Sequence, residues 1–428
     1  MCKHPGLSLI LFLLSYSVNA QMYSPYSRSG LGMRYEPVIG ALRGMGGIST
    51  AYNSKVNINP ANPASYSFIN LATFEIGLNA DGGRIQTATT QAQVMNGSLS
   101  HVALAFPVFK DRWTVVAGLL PYSRVQYGFT QNVVDTPLNT SIQKFFTGDG
   151  STYNFFVGNG LRYGPISVGA NLGVVFGKYN YDRYLNIPDS VTALNARNST
   201  EVRFRSFQYQ IGIQYHQAVV KRQEMQKTIY LTAGVTFAGG QSMQIHRAEW
   251  WQRFVNVTYQ TSTFQNVIDT PSVVSDQDDK MRQPVQISGG LMIGNELFWQ
   301  LGVDFRWGQW SAFRTPLENG QLNDAWRFSF GAQLLPDHDA RRNLLKRTQY
   351  KAGFYYGQSE FMVRGESVRE LGGTVGFAFP LRSFARFNIA GDFGTRGPAT
   401  ASALRETYYR IHFGITINDV WFLKRKYD

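Results

Sequence analysis

From Tyr409 to Ile417 every second residue is large and apolar: Tyr409, Ile411, Phe413, Ile415 and Ile417 alternate with Arg410, His412, Gly414 and Thr416. Successive side chains of a strand point to opposite faces, so a period of two calls for a strand with one oily and one wet face. The pattern recurs: Ala385, Phe387, Ile389, Gly391 and Phe393 alternate with Arg386, Asn388, Ala390 and Asp392, and Leu297, Trp299, Leu301, Val303 and Phe305 with Phe298, Gln300, Gly302, Asp304 and Arg306. A chain of such strands must cover many oily faces. Two sheets packed face to face would do so, and so would one closed sheet with its oily faces turned to lipid. Alternation alone does not choose between them.

The first twenty residues favour export. Lys3 precedes an uncharged apolar run from Leu7 to Val18, and Val18-Asn19-Ala20 precedes Gln21, which reads as a secretory signal over 1–20 cleaved after Ala20. That run is too short to span a bilayer, and no uncharged run of about 18 apolar residues occurs elsewhere. The one cysteine, Cys2, lies in the removed segment, so no disulfide is expected in the mature chain. The formal charge of +13 falls by one when Lys3 is lost. In an exported chain this basic excess points to anionic lipid headgroups or solvated loops, and no nucleic-acid partner is expected.

The periodicity resolves about fourteen strands, near 72–80, 98–106, 113–123, 152–162, 165–177, 202–216, 227–237, 284–293, 297–307, 326–334, 349–357, 371–379, 385–394 and 406–417. Connections after even strands are mostly short, such as 107–112, Gly164 and 294–296. Those after odd strands are mostly long, with 124–151, 178–201 and 238–283 the longest. A secreted sandwich or propeller has no reason to keep that parity, and no repeat of propeller length is present. Short turns on one side and long loops on the other, over an even strand number, define an all-β transmembrane antiparallel β-barrel of the outer-membrane type. The expected layout is a barrel over 71–418, a basic and aromatic tail over 419–428, and both termini periplasmic.

Residues 21–70 break the pattern. Gly44, Gly46 and Gly47 permit tight turns, while Pro60 and Pro63, beside Asn59 and Asn62, deny ladder donors. Such a segment suits the inside of a barrel as a hatch. A disordered leader is the competing reading, against which stand Met22, Tyr23, Tyr26, Leu31 and Met33. A lumen of this strand number is wider than side chains fill, so it needs a plug.

Asp304, Arg306, Arg386, Asp392 and Arg410 fall on wet faces. They read as a wall-bracing network, or as a cradle for a substrate carboxylate. The mature chain's five histidines show neither metal-ligand spacing nor a nucleophile motif, and Asp276, Asp278 and Asp279 lack the glycine turn and terminal glutamate of a calcium loop. No catalytic residue, metal or cofactor is expected. Trp307, Trp310, Trp326 and Trp421 lie near strand ends, as aromatic girdles do. Trp250, Trp251, Phe254 and Tyr259 form a candidate aromatic patch within 238–283 that would face a partner or a substrate.

Several short motifs together resemble the outer-membrane transporters of hydrophobic compounds and long-chain fatty acids, the FadL type. They are Gly40-Ala41-Leu42-Arg43-Gly44-Met45-Gly46-Gly47, Asn59-Pro60-Ala61-Asn62-Pro63-Ala64, Leu120-Pro121-Tyr122-Ser123, Trp310-Ser311, and Tyr350-Lys351-Ala352-Gly353-Phe354-Tyr355-Tyr356. The resemblance implies a lumenal hatch in a fourteen-stranded barrel. It also implies a third strand that kinks to open a lateral gap, which places a gate at Gly118, Pro121 and Tyr122. Passive uptake of a hydrophobic or amphipathic small molecule follows from it. Some barrels resembling this family instead serve as accessory subunits of outer-membrane secretion or assembly complexes, docking other outer-membrane proteins. A continuous apolar path from loops to gate would separate the first function from the second.

Overall fold

The computed structural model describes residues 24–420, apart from 88–89, 136–139, 189–193, 222–227, 260–261, 318–320, 341–342, 382–384, 399 and 401–403. The expected signal over 1–20, with Met22 and Tyr23, lies outside the described residues, as does the tail from 421 onward.

A two-residue strand, β1 (Met33–Arg34), precedes β2 (Ala72–Gln86), β3 (Gln91–Phe109), β4 (Trp113–Asp135), β5 (Thr140–Tyr163), β6 (Ile166–Asn186), β7 (Asn195–Val220), β8 (Ile229–Gly239), β9 (Ser242–Tyr259), β10 (Ser262–Arg282), β11 (Val285–Asn295), β12 (Trp299–Gly308), β13 (Ala325–Leu334), β14 (Gln349–Val363), β15 (Glu366–Pro380), β16 (Arg386–Gly397) and β17 (Arg405–Asp419). Fourteen of them form an antiparallel ring. β2 to β8 pair in order, β8 pairs with β11, β11 to β17 pair in order, and β17 returns to β2 from Arg405↔Gln86 to Asp419↔Ala72. Closure gives every strand of the ring a partner on both sides, which is what a bilayer core without water demands of any strand that crosses it.

The faces follow the alternation. Phe413 and Ile415 are 39% and 40% exposed while the flanking His412 and Thr416 are buried, so the oily side faces out and the wet side faces the lumen. Leu172, Phe207, Ile213, Val235, Leu301 and Phe330 continue this apolar belt around the wall. In a soluble sandwich these side chains would be the core; exposed here in a band, they form the lipid-facing surface of a transmembrane barrel.

The segments expected as long loops are largely strand. The β4–β5 pairing runs from Trp113↔Leu161 to Asp135↔Thr140, and β6 and β7 remain paired out to Leu185↔Ala196. Beyond the belt the alternation changes sense, with inward residues such as Val125, Tyr127, Tyr179 and Phe204 buried in an apolar core and outward neighbours such as Lys178 and Arg203 polar, so the pattern of oily outer and wet inner face is lost although the ladder continues. The wall is therefore lopsided. β4, β5, β6 and β7 have 23, 24, 21 and 26 residues, whereas β12 and β13 have 10 each, about the minimum for crossing a bilayer.

The segment 238–283 is also not a loop. It forms the β9–β10 hairpin, which stands outside the ring: β9 pairs with the far half of β7, from Asn195↔Phe254 to Phe204↔Ile245, and β10 pairs with β9. On the low side of the wall, residues 309–317 and 321–324 fold at the mouth and bury Trp310, Phe313 and Leu322.

Candidate functional site in the lumen

The N-terminal segment runs the length of the lumen. Ser24 donates to Glu406 (2.7 Å) at the long-hairpin rim, and the chain descends to Ser67, which donates to Ser167 (3.1 Å) beside the short turn at Gly164. Ser24 and Asp419 therefore lie at opposite ends of the barrel. The expectation of both termini on one side does not extend to the N-terminal end of the described chain, because the segment is threaded through the lumen rather than hung beneath it.

The glycine and Asn-Pro-Ala elements meet the wall directly. Gly46 and Gly47 have φ of 68° and 77°, the left-handed turn that a side chain disfavours, and the Gly46 N–H donates to Thr374 Oγ1 (2.7 Å). A Cβ on Gly353 of the wall would lie 2.0 Å from the Gly46 nitrogen, and one on Gly44 would lie 2.7 Å from Gly376. Asn59 and Asn62 tie the segment to itself, donating to the carbonyls of Ser49 (2.7 Å) and Thr50 (2.6 Å). Pro60 and Pro63 surrender no donor to the ladder, but the Pro60 carbonyl accepts from Asn171 (3.0 Å), and Pro63 opens the 3-10 helix Pro63–Phe68 capped by Asn62. Asp304 supplies the firmest anchor. Its carboxylate accepts from Ser49 N (2.7 Å), Thr50 N (2.9 Å) and Thr50 Oγ1 (2.9 Å).

The wall opens where the proline stands. β3 and β4 pair from Phe109↔Trp113 only as far as Val102↔Leu119, and beyond that point the two strands diverge. Pro121 follows immediately, and Tyr122 is a bulge, because the β4–β5 register steps from Pro121↔Tyr153 to Ser123↔Thr152. Gly118 sits just before the divergence, where a Cβ would lie 2.8 Å from Phe156. The freed edge of β4 is covered from inside: β1 pairs as Met33↔Arg124 and Arg34↔Ser123, and Tyr35 N donates to Tyr122 O (3.0 Å).

Above this slot lies an apolar layer and below it two more. The upper core includes Tyr26, Leu31, Tyr179, Phe204, Trp310 and Phe313. Ile39, Ile58, Tyr66 and Ile69 form one lower core, and Leu42, Met45, Ile48 and Tyr52 another. Between them sits a cavity of about 230 Å³ lined on one part by Arg34, Glu36, Arg306, Arg327, Glu360 and Glu370 and on another by Leu120, Pro121, Tyr122, Phe156, Trp307 and Trp310, so that it reaches the slot. Its charges pair with one another. Glu36 bridges Arg306 (2.6 Å) and Arg327 (3.0 Å), and Arg34 meets Glu360 (2.8 Å). Burial alone would raise the Glu36 carboxyl, but the two guanidiniums outweigh it and hold it at about 2.

Of the five expected lumen charges, four join networks. Arg306 lies 3.8 Å from Asp304 and donates to Ser49 Oγ (2.8 Å), while Arg410 lies 3.4 Å from Asp392, which also accepts from Tyr355 (2.6 Å). Arg386 stands apart. It is six positions from Asp392 on β16, opposite Thr416 near the short-turn rim, so it does not reach that carboxylate. Sequence reasoning missed Glu36, Arg327, Glu370 and Arg396. Arg327 occupies a wet position between Trp326 and Phe328 and was legible in principle, whereas Glu36 gains its role only by being threaded between Arg306 and Arg327. The aromatic quartet does not form one face: Trp251 is 47% exposed, Phe254 is buried against Tyr184, and the Tyr259 side chain lies outside the described set.

Several solved structures share the fold. The toluene transporter TbuX of Ralstonia pickettii aligns at a TM-score of 0.56 and 14% identity, over 90% of this chain and 98% of that one. A FadL homologue from Pseudomonas aeruginosa aligns at 0.55 and 12%, over 90% and 98%, and the toluene transporter TodX of Pseudomonas putida at 0.52 and 16%, again over 90% and 98%. At such identities the likeness concerns architecture. No curated protein matches the chain in sequence. A family model described as BamG matches residues 1–428.

Proposed function

The chain belongs to the BamG family, and on that premise we propose that it is a non-transporting barrel subunit of an outer-membrane secretion or assembly complex. The observation that carries this reading is the threaded segment that fills the lumen, with its glycines against the wall and its charge paired to the wall arginines. A hydrophobic solute entering from the mouth meets a packed core and then paired charges, and desolvating those charges is costly unless they keep their partners. In this reading residues 21–70 are a permanent seal, 71–418 the barrel, and the short-turn rim with the 419–428 tail faces the periplasm. Its partners are outer-membrane lipid and other outer-membrane proteins.

The divergence of β3 from β4 favours a second reading, uptake of a hydrophobic or amphipathic small molecule. Its structural relatives include proteins named as toluene transporters. Uptake would require residues 33–35 to leave the β4 edge and uncover the slot at Pro121.

One lock separates the two. Met33 and Arg124 are directly opposed, so Met33→Cys with Arg124→Cys can form a disulfide across the pair, and Cys2 is the chain's only native cysteine. The subunit reading expects the oxidised variant to keep a stoichiometric partner in mild detergent and to support growth as the wild type does. If the locked barrel instead loses hydrocarbon uptake that the wild type and the reduced variant perform, uptake is the function.

A further inference from the structure

The register across β15, β16, β17 and β2 sets the outward side chains of that wall in rows. Phe393 opposes Tyr409, and both are exposed at the mouth-side margin of the lipid belt. The next row outward runs Leu371, Thr395, Thr407 and Arg84, and in the row beyond it Arg369 opposes Gly397 while Arg405 opposes Gln86. Arg84, Arg369 and Arg405 are exposed, whereas Ile85, Val368 and Glu406 beside them in sequence are buried, so the three arginines point away from the lumen. A Cβ on Gly397 would stand 3.6 Å from that of Arg405. The glycine therefore leaves a bare floor between Arg369 and Arg405, two strand spacings or about 10 Å apart.

Other cations at this height are given carboxylates by the fold. Inside the same strands Arg396 meets Glu370 (2.6 Å) and Arg410 lies 3.4 Å from Asp392. On the opposite wall the outward Lys178 and Arg203 share Glu201, at 3.2 and 2.6 Å. Among the described residues no ion pair engages Arg84, Arg369 or Arg405. Arg84 donates to Gln91, which carries no charge, and Glu366 in the β14–β15 turn accepts from Thr400 N (3.2 Å). The adjoining segments 87–90 and 398–404 contain no Asp or Glu. Arg84 and Arg405 are diagonal neighbours on adjacent strands, and like charges so placed repel unless an anion lies between them.

Their depth indicates where that anion comes from. Two residues of a tilted strand rise roughly 5 Å along the membrane normal, so Arg84 stands about 5 Å and Arg369 and Arg405 about 10 Å beyond the last aromatic row. That is the headgroup layer, into which long basic side chains reach back. Guanidinium binds phosphate through two parallel hydrogen bonds. Three guanidiniums at two heights, with the Thr395 and Thr407 hydroxyls beneath them, suit a headgroup of sugar bearing more than one phosphate better than the single phosphate of a glycerophospholipid.

We propose that Arg84, Arg369 and Arg405 form a binding site for a phosphorylated glycolipid of the outer leaflet, its phosphates held over Gly397 and its acyl chains lying on Phe393 and Tyr409. The site stands outside the lumen and requires the mouth to face outward. It depends on neither reading of the function.

The test is native mass spectrometry of the full mature barrel in mild detergent, titrated with bisphosphorylated lipid A, with the same lipid after enzymatic removal of its phosphates, and with phosphatidylglycerol. The expected result is retention of the bisphosphorylated lipid alone. Combining Arg84→Gln, Arg369→Gln and Arg405→Gln should weaken that retention roughly tenfold or more, and Lys178→Gln with Arg203→Gln on the opposite wall should leave it unchanged, with heat-modifiability on a gel reporting that each barrel is folded. Removing the phosphates from the lipid probes the same contacts without altering the protein. Equal retention of the dephosphorylated lipid, displacement by phosphatidylglycerol at equal concentration, or an equal loss in the opposite-wall variant overturns the proposal.

Discussion

Single residues decide whether the lumen stays filled, and Asp304 is the clearest case. It is 3% exposed and satisfies three donors of the threaded segment. Asp304→Ala leaves those donors buried without an acceptor, each worth about 1–3 kcal/mol. The expected outcome is early proteolytic cleavage near residue 50 and a lower urea midpoint, with Asp304→Asn less affected because one acceptor remains. Glu36 makes a second prediction, with its sign fixed by the direction of its shift. Its folded value of about 2 lies below the ordinary 4.5, so the bridge to Arg306 and Arg327 contributes fully above about 4.5 and is lost as pH falls toward 2. Protease resistance of the segment should hold at neutral pH and weaken in that acid window, and Glu36→Gln should abolish this component of the acid dependence.

At the scale of elements, the seal depends on wall glycines that let one backbone touch another. Gly353 on β14 is the sharpest, since any Cβ there would strike the Gly46 nitrogen. Gly353→Leu should displace the segment without breaking the β14 ladders to β13 and β15. In planar bilayers the wild-type barrel is expected to be silent and the variant to pass ions, and a silent variant that remains folded would contradict the packing argument. The alternation of Tyr409 to Ile417 was legible because lipid and lumen differ so sharply in polarity. The outer halves of β4 to β7 were not, because there the alternation changes sense, with Val125, Tyr127, Tyr179 and Phe204 turned inward to an apolar core and polar residues outward. The same cause hid β9 and β10 inside an apparent loop. The role of Pro121 was legible only in part: a proline marks an interrupted ladder, but that residues 33–35 cover the interruption is a contact between positions about 90 apart in sequence.

At the scale of the whole molecule, the belt is what commits the chain to lipid. Phe413 lies near the middle of a strand whose outward residues are all exposed. Phe413→Arg should cost about 2–4 kcal/mol if that position lies at the bilayer midplane, measured as a shift in urea unfolding from vesicles, while the same change at exposed Val273 on β10 should leave barrel stability unaltered.

The sequence by itself determined the strand period, the count of strands in the ring, the wet and oily faces, and the singular character of the glycine- and proline-rich segment. These are local properties, written in spacings of two residues or in backbone chemistry at one position. Only the tertiary structure decided that the segment threads the lumen from the mouth downward, that Glu36 lies between two arginines, that Arg386 lies too far along its strand to reach Asp392, and that β10 pairs with β9 outside the ring. Each depends on which distant strands closure brings together, and a periodic pattern carries no record of its partner.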